Sequence, residues 1–368
     1  MGCPWLGTVT SQVPTLSCRL SPERPRSLPS SRGRCQEAAH IHQREESINL
    51  MARVPLTLAV RDYAHIAPLA LGDIMIEGVD LTLLRVFDAP QQVLVDPAID
   101  GGEASFSRHL QRVAIKDESF VAVPAFVLRG FRQRCIFVRQ DSPLTDLTDL
   151  AGKRVGLNEW GATGHTWARA AFRERGIALE DVRWVVGQIS PSSPPPPGTP
   201  FPAYVSAAPA GSTLTEMLLA GEIDAMLASE PPEGFHSVNG PIVRLFRDFR
   251  SAEQAYYART GIMPAHHLIA LRRSVAEKHP WLPQAVFRAF EASRKRATEN
   301  RRLLGDVSPW LLAELESNEA SMGSDVEQYG IQPNRAMIET FCAEQFAQGL
   351  VSTPINPADA FARFEATL

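Results

Sequence analysis

From Met51 onwards, short apolar runs alternate with stretches of helical periodicity, and this alternation limits the fold more than any other feature of the sequence. The first two runs are 54–60 and 78–84, and 120–124 and 135–139 follow with helical segments between them. Strands that alternate with helices are typical of α/β architecture. The chain has 368 residues, more than one ordinary core requires, so we expect two lobes or one domain with a long tail.

The sequence pattern predicts that the chain crosses twice between two lobes, near 137–142 and near 257–264. Lobe one would then be discontinuous and contain 51–137 together with 262–368, whereas lobe two would contain 138–261. Two crossings of this kind form a hinge. Folds built on such a hinge bind a small molecule in the cleft and close around it.

The fragment 152–163 indicates where the ligand of such a cleft would bind. Its sequence, Gly-Lys-Arg-Val-Gly-Leu-Asn-Glu-Trp-Gly-Ala-Thr, combines a basic pair, a short apolar strand at 154–157 and a polar strand end that opens a helix at Thr163. A strand end and a helix N-terminus both present backbone N–H groups, which favour anions. We therefore expect an anion-binding cleft at the start of lobe two, with Glu159 at its edge.

Residues 1–50 differ in composition from the rest of the chain. They contain scattered Arg, Ser, Pro and Cys and cannot build a core. We expect either a disordered extension or a mis-assigned start with Met51 as the true first residue, and a transit peptide is the alternative. The segment lacks the basic start, apolar core and small-residue cleavage site of a secretory signal, so we expect a cytoplasmic protein.

Charge, hydropathy and cysteine spacing bear on the partners of the protein. The net charge of −4 gives no reason to expect nucleic acid. No apolar stretch is long enough to span a bilayer, so no membrane partner is expected. The body cysteines, Cys135 and Cys342, do not have metal-site spacing, which favours a reducing compartment. The oligomeric state stays open, and a homo-oligomer is one alternative.

A proline-rich segment interrupts lobe two. Its sequence at 190–198, Ser-Pro-Ser-Ser-Pro-Pro-Pro-Pro-Gly, is incompatible with a helix or a central strand. We expect an exposed loop over 190–211 with polyproline character. It would act either as a solvated spacer or as a ligand for a proline-reading partner.

Several motifs of the body resemble those of a known family. The more specific blocks are Tyr256-Tyr257-x-Arg259-Thr260-Gly261-Ile262-x-Pro264-x-x-His267 and Met322-Gly323-x-Asp325 with Tyr329-Gly330 and Asn334-Arg335. Shorter matches are Asp62-Tyr63, Glu77-Gly78-Val79-Asp80-Leu81, Glu103 with Ser105 and Ser107, Arg129-x-x-Arg132, Gly152-Lys153-Arg154-Val155-Gly156 with Glu159, and Gly221-Glu222-Ile223-Asp224-Ala225. From about Pro55 to its C-terminus, the chain resembles the 4,5-dihydroxyphthalate decarboxylases, which share the α/β fold of type II periplasmic substrate-binding proteins.

The resemblance implies a carboxy-lyase of aromatic compound catabolism, in phthalate degradation. Its substrate would be a small hydroxylated aromatic dicarboxylate such as 4,5-dihydroxyphthalate, and its product 3,4-dihydroxybenzoate. Decarboxylation requires that the carboxylate is held, that the ring carbon gains a proton and that the developing negative charge is stabilised. A general acid and cationic side chains meet these requirements in principle.

The chain departs from the family pattern in three places. Glu230 stands where the family often has an arginine, and His266-His267 stands where the family has a Met-His pair. The proline-rich segment is not part of the usual pattern. These departures bear on the identity of the substrate more than on the fold.

The candidate catalytic residues are Glu159 and His267. Glu159 would donate a proton or hydrogen-bond a substrate hydroxyl group, and helix capping is the alternative. Either His267 or His266 would act as the general acid, because imidazole titrates near neutrality, although a histidine at a strand end also serves purely structural roles.

The candidate substrate-binding residues are Asp62, Glu103, Ser105, Ser107, Arg129, Arg132, Thr163 and Arg259. Arg129 and Arg132 are three residues apart, ahead of a crossing strand, and would either clamp carboxylates in bidentate fashion or lie on the surface. The hydroxyl groups in this set would either donate to carboxylate oxygens or cap helices.

No cofactor is certain from the sequence. A divalent metal is an open alternative, with His266 and His267 as ligands beside Glu103 or Asp62, although no helical ligand spacing supports it.

A non-catalytic solute-binding protein of an ABC-type transport system is the alternative function, and a cytoplasmic sensor or a biosynthetic enzyme on the same scaffold is a third. The sequence shows no recognisable leader, which favours the enzyme, because a transport receptor must be exported or anchored.

Overall fold

The structure is a computed structural model that describes residues 53–367 except 197, 199, 306 and 307. The predictions made for residues 1–50 lie outside the described residues. The chain from 53 onwards forms one compact unit. Among the helices of this described part, none combines the length and the apolar character that a bilayer crossing requires.

Two sheets of mixed strand direction organise the described residues. Their strands are β1 (Val54–Val60), β2 (Val79–Arg85), β3 (Gly101–Ser105), β4 (Phe120–Arg129), β5 (Ile136–Arg139), β6 (Arg154–Leu157), β7 (Arg183–Val186), β8 (Val205–Ala207), β9 (Ala225–Leu227), β10 (Ile242–Arg244) and β11 (Ala265–Arg272). The first sheet has the order β2-β1-β3-β11-β4, and the second has the order β10-β5-β9-β6-β7-β8.

Helices connect the strands and cover the sheets. They are α1 (Ala67–Ala70), α2 (Ala89–Val95), α3 (Phe106–Ala114), α4 (Thr163–Glu174), α5 (Leu214–Leu219), α6 (Phe249–Thr260), α7 (Arg273–Lys278), α8 (Leu282–Leu303), α9 (Leu311–Met322), α10 (Arg335–Ala347) and α11 (Ala362–Glu365). Short 3₁₀ helices lie at Gln133–Cys135, Leu147–Leu150, Leu179–Asp181, Gln332–Asn334 and Pro357–Phe361.

Each sheet combines a parallel core with an antiparallel strand that arrives from elsewhere in the chain. In the first sheet, β1 pairs in parallel with β2 and β3, while β11 runs antiparallel to β3 and β4. In the second sheet, β6 pairs in parallel with β7 and β9, and β5 runs antiparallel to β9 and β10. A late strand therefore completes the first sheet, which confirms the predicted two-lobed α/β fold of the type II periplasmic-binding-protein kind.

The first crossing lies earlier than predicted. The chain leaves the first sheet at the end of β4 and enters the second sheet at Ile136, so the crossing is 130–135 rather than 137–142. The cause is that β5 is already hydrogen-bonded into the second sheet. The second crossing follows the left-handed Gly261 that ends α6 and runs beside the first, since the Gly130 N–H donates to the carbonyl oxygen of Pro264 at 3.0 Å.

Two strands differ from the sequence-based prediction. β4 does not end at Pro124 but continues to Arg129, because the pairing of β4 with β11 shifts register between Ile269 and His267 and no ladder N–H is needed from the proline. The proline-rich loop predicted over 190–211 contains the short strand β8, which pairs in parallel with the edge of β7.

Helix α4 connects the two halves of the molecule. Its Trp167 stacks on Phe341 of α10 with ring centroids 4.6 Å apart, and the indole N–H donates to the carbonyl oxygen of Ala265 in β11 at 2.8 Å. Both rings are fully buried. The N-terminus of α4, at Thr163, is therefore held against the first sheet by aromatic packing and a buried hydrogen bond.

A glycine in β3 makes the central pairing of the first sheet feasible. Gly102 has φ +142°, and a Cβ at this position would lie 2.0 Å from the carbonyl oxygen of Ala59 in β1. We expect Gly102→Ala to lower the free energy of unfolding by about 3 kcal/mol or more, because a backbone clash adds to the conformational strain.

Urea unfolding measures this effect, with Gly72→Ala as the matched control. Gly72 also has a positive φ, of +84°, but a Cβ there would meet no atom within 4 Å, so it should cost only about 1 kcal/mol. Equal losses in the two variants would contradict the role of close strand approach.

Candidate functional site

The cleft lies where carboxyl ends of parallel strands from both sheets meet, as expected for α/β sheets. It encloses about 710 Å³. Its ionisable and hydroxyl-bearing lining residues are Arg61, Asp88, Ser105, Arg108, Arg112, Arg129, Arg132, Arg134, Glu159, Thr163, Ser229, Glu230, His266 and His267. Six arginines face three carboxylates in this lining, so the cleft favours anions.

A buried carboxylate stands behind one wall of the cleft. Glu103 in β3 has no exposed surface. Its Oε1 accepts from the Tyr63 hydroxyl at 2.7 Å and from Nδ1 of His267, and its Oε2 accepts from the backbone N–H of Arg61 at 2.9 Å. With Nδ1 occupied in this way, Nε2 is the nitrogen through which His267 can exchange a proton with the cleft.

The surroundings of Glu103 keep it ionised. Burial alone would raise the pKa of its carboxyl group, but the hydrogen bond and charge of His267, together with Tyr63 and the Arg61 N–H, outweigh burial and lower that pKa below its usual range. Burial and the adjacent carboxylate raise the pKa of Tyr63. The tyrosine therefore remains a hydrogen-bond donor to the carboxylate.

Arg132 lies at the first crossing and faces the cleft. Its Nη2 lies 2.6 Å from Nε2 of His266, and its Nε donates to the carbonyl oxygen of Gly130 at 3.4 Å. Burial lowers the pKa of Arg132, and burial together with the charge of Arg132 lowers that of His266 well below its usual value. His266 is therefore neutral, and its Nε2 also lies 2.7 Å from the Gly130 carbonyl oxygen. The Arg132 guanidinium has no acidic partner within 4 Å among the described residues.

Glu159 and Arg108 form an ion pair across the cleft. Arg108 belongs to the first turn of α3, and Glu159 follows β6 of the other sheet. The backbone of Glu159 is held by His165, whose Nδ1 lies 3.0 Å from the Glu159 carbonyl oxygen. Burial lowers the pKa of His165 to about 4, so the ring is neutral near pH 7. Glu159 therefore has a fixed backbone and a side chain whose only ionic partner in the described residues is Arg108.

The N-terminus of α4 also faces the cleft. Ser105 Oγ and Thr163 Oγ1 lie 2.9 Å apart, and the Ser105 oxygen caps α3 by accepting from the Arg108 N–H at 3.4 Å. Ala162 at the N-cap of α4 makes no side-chain cap, so the free N–H groups of the first turn contribute to the cleft. Gly164 leaves room for Arg132, since a Cβ there would lie 3.1 Å from Nη1 of that arginine.

Several predicted binding residues do not reach the cleft. Asp62 is 69% exposed and pairs with Arg85, and Arg259 pairs with Glu174. Neighbouring side chains at a strand end point in opposite directions, which explains why Asp62 faces outward while Arg61 lines the cleft.

Two further candidates have structural contacts instead. Ser107 is fully buried, and its hydroxyl donates to Gln345 at 3.1 Å. Arg129 borders the cleft, but its guanidinium donates to the carbonyl oxygens of Met263 and Gln328 and to Oδ1 of Asn334 at 2.6 Å. These contacts hold the two crossings to the C-terminal region and engage both terminal nitrogens of Arg129, whereas its buried Nε has no hydrogen-bond partner among the described residues.

Arg61 and Arg108 line the cleft but were not among the residues predicted from the sequence. A signal for Arg108 was present, since it lies three residues after the capping Ser105, in the first turn of a helix that follows a strand end.

The metal alternative gains no support from the geometry. Within the residues that the structure describes, no group of three or more His, Cys, Asp or Glu side chains converges as a metal site.

Comparison with known proteins finds relatives by sequence. No family model matches the chain. The 4,5-dihydroxyphthalate decarboxylase of Comamonas testosteroni is 31% identical over 325 residues, which cover 84% of this chain and 97% of that protein. The enzyme of the same name from Pseudomonas putida is 30% identical over 216 residues, which cover 56% of this chain and 83% of that protein.

Among solved structures, the periplasmic aliphatic sulphonate binding protein SsuA from Escherichia coli aligns with a TM-score of 0.48 and 15% identity, over 83% of this chain and 91% of SsuA. The sequence similarity is the stronger finding, because it spans almost the whole of a curated relative. The chain belongs to the 4,5-dihydroxyphthalate decarboxylase family.

Proposed function

We propose that this chain decarboxylates a hydroxylated aromatic dicarboxylate of the 4,5-dihydroxyphthalate class. The observation that carries the proposal is Arg132, a cleft-facing guanidinium without an acidic partner in the described residues, beside the N-terminus of α4. A carboxylate of the substrate would complete its hydrogen bonding. Both curated relatives are named for this reaction, and the cleft is large enough for a single substituted ring.

Arg108 would bind the second carboxylate by exchanging partners. Arg108 pairs with Glu159, and a substrate carboxylate that approaches α3 would compete for the same guanidinium. When Arg108 turns to the substrate, the carboxylate of Glu159 becomes available to a phenolic hydroxyl group. Binding would therefore place an acceptor next to the hydroxyl that must lose its proton.

His267 would supply the proton to the ring. Its Nε2 delivers a proton to the carbon that carries the carboxylate while Glu159 takes the proton of the para hydroxyl, which leaves a dienone. The bond to the carboxylate then breaks, its electron pair returns to the ring, CO₂ leaves and the phenolate is protonated again. Glu103 stabilises the imidazolium that precedes the transfer, because its carboxylate holds Nδ1.

Turnover tests the proposal directly. Purified protein mixed with 4,5-dihydroxyphthalate should release CO₂ and 3,4-dihydroxybenzoate in equal amounts. Arg132→Ala should lower kcat/KM by about 100-fold or more, because a charge-assisted carboxylate contact is lost.

Arg302→Ala is the matched control, since Arg302 is exposed and pairs with Glu319 on α9, and it should change kcat/KM less than twofold. Tight binding of another solute without any turnover would instead support the solute-binding alternative.

Glu103→Gln tests the buried network through the dependence of stability on pH. The pKa of Glu103 is lower in the folded protein than in the unfolded chain, where it is about 4.3, so the ionised carboxylate stabilises the fold at pH values above about 4.3. This stabilisation is lost as the pH falls through the folded-state pKa. The variant should lose about 2–4 kcal/mol of unfolding free energy at pH 7 and a smaller amount below about pH 4.

Urea unfolding at the two pH values measures the difference. Glu339→Gln, which removes an exposed carboxylate paired with Arg335 on α10, should cost less than about 0.5 kcal/mol. A loss from Glu103→Gln that is independent of pH would argue against an ionised carboxylate.

A cytoplasmic location is also part of the proposal. The described cysteines, Cys135 and Cys342, are buried and form no disulfide, which suits a reducing compartment. Fractionation of cells that express the full chain should recover the protein with cytoplasmic markers, and release by osmotic shock with periplasmic markers would contradict this.

A further inference from the structure

The proline-rich segment is part of the cleft rather than a free spacer. Pro194 and Pro195 both contribute to the cleft lining. The chain immediately before them is tied down, because the side-chain amide of Gln188 donates to the Ser193 carbonyl oxygen at 2.6 Å and the Ser190 N–H donates to Ser193 Oγ at 3.0 Å. The residue that precedes the two prolines is therefore held by contacts within the loop.

The topology explains why this loop reaches the cleft. The loop leaves the carboxyl end of β7, which runs parallel to β6, so it arises at the same sheet edge as Glu159. The first sheet contributes Pro90 and Leu94 of α2, which follows the carboxyl end of β2. In addition to its arginines, the cleft therefore has apolar side chains on segments that follow strands of both sheets.

Consecutive prolines suit contact with a flat apolar ring. Each has its φ fixed near −65° and restricts the residue before it to extended conformations, so little conformational freedom remains to be lost on binding. Their pyrrolidine rings present CH₂ groups and carry no N–H that would be left unpaired. A benzene ring gains from covering such a surface, whereas an aliphatic dicarboxylate without a ring gains much less.

We propose that Pro194 and Pro195 form an apolar rim of the cleft that packs on the substrate ring and selects aromatic over aliphatic dicarboxylates. The inference rests on the proposed function, since it divides recognition of the same ligand between two parts of the cleft. Arg132 and Arg108 bind the carboxylates, and the rim binds the ring.

Calorimetric titration of the full chain with two probes separates these contributions. Benzene-1,2-dicarboxylate carries the ring and two adjacent carboxylates, whereas maleate has two carboxylates in a similar cis arrangement but no ring. The double variant Pro194→Gly/Pro195→Gly should raise the Kd for benzene-1,2-dicarboxylate about five- to tenfold, as expected for roughly 50 Å² of lost apolar contact. Its Kd for maleate should change less than twofold.

Pro200→Gly is the matched control, because Pro200 lies in the same loop, is exposed and does not line the cleft. It should leave both dissociation constants within twofold of the unmodified chain. An unchanged Kd for benzene-1,2-dicarboxylate in the double variant would overturn the proposal, as would an equal loss for both probes or the failure of the unmodified chain to bind the aromatic probe.

The readout does not depend on catalysis, because benzene-1,2-dicarboxylate lacks the hydroxyl groups that the proposed chemistry requires. A rim effect in a protein that fails to decarboxylate 4,5-dihydroxyphthalate would count against the proposed reaction alone. Normal turnover with no rim effect would count against the rim alone.

Discussion

A carboxylate without exposed surface, Glu103, connects three neighbouring strands of the first sheet. It lies in β3, accepts from the N–H of Arg61 at the end of β1 and accepts from His267 in β11. An isolated buried charge is strongly unfavourable, so these strands must bring their donors to the same place. That requirement fixes the orientation of the His267 ring, and the ring forms part of the cleft wall.

The opposite wall depends on how α4 is held. Aromatic packing of Trp167 on Phe341 and its hydrogen bond to Ala265 fix this helix against the first sheet, although the helix belongs to the chain segment that carries the second. Its uncapped N-terminus, Thr163 and the nearby Arg132 then give the cleft a cationic interior. The prolines that follow β7 add an apolar border, so charge and ring recognition arise from different segments of chain.

The fold was largely predictable, whereas the site was only partly so. Alternation of apolar runs and helical periodicity predicts strands such as β1 and β6 with their observed bounds, because hydrophobic burial acts locally on the pattern. Residue type alone could not distinguish Arg132 from Arg129, since both arginines precede the crossing strand. The two arginines differ because of partners that are distant in sequence. The terminal nitrogens of Arg129 donate hydrogen bonds to Asn334, Gln328 and Met263.

The sequence by itself determined the α/β class, the late return of the chain to the first sheet, the family resemblance and the presence of acid, histidine and arginine near strand ends. Only the tertiary structure decided which of these side chains share a cleft. Asp62 turns outward while Arg61 turns inward, and the proline-rich segment borders the site. The physical reason is that side-chain direction depends on strand register and on partners far away in sequence, which a local pattern does not contain.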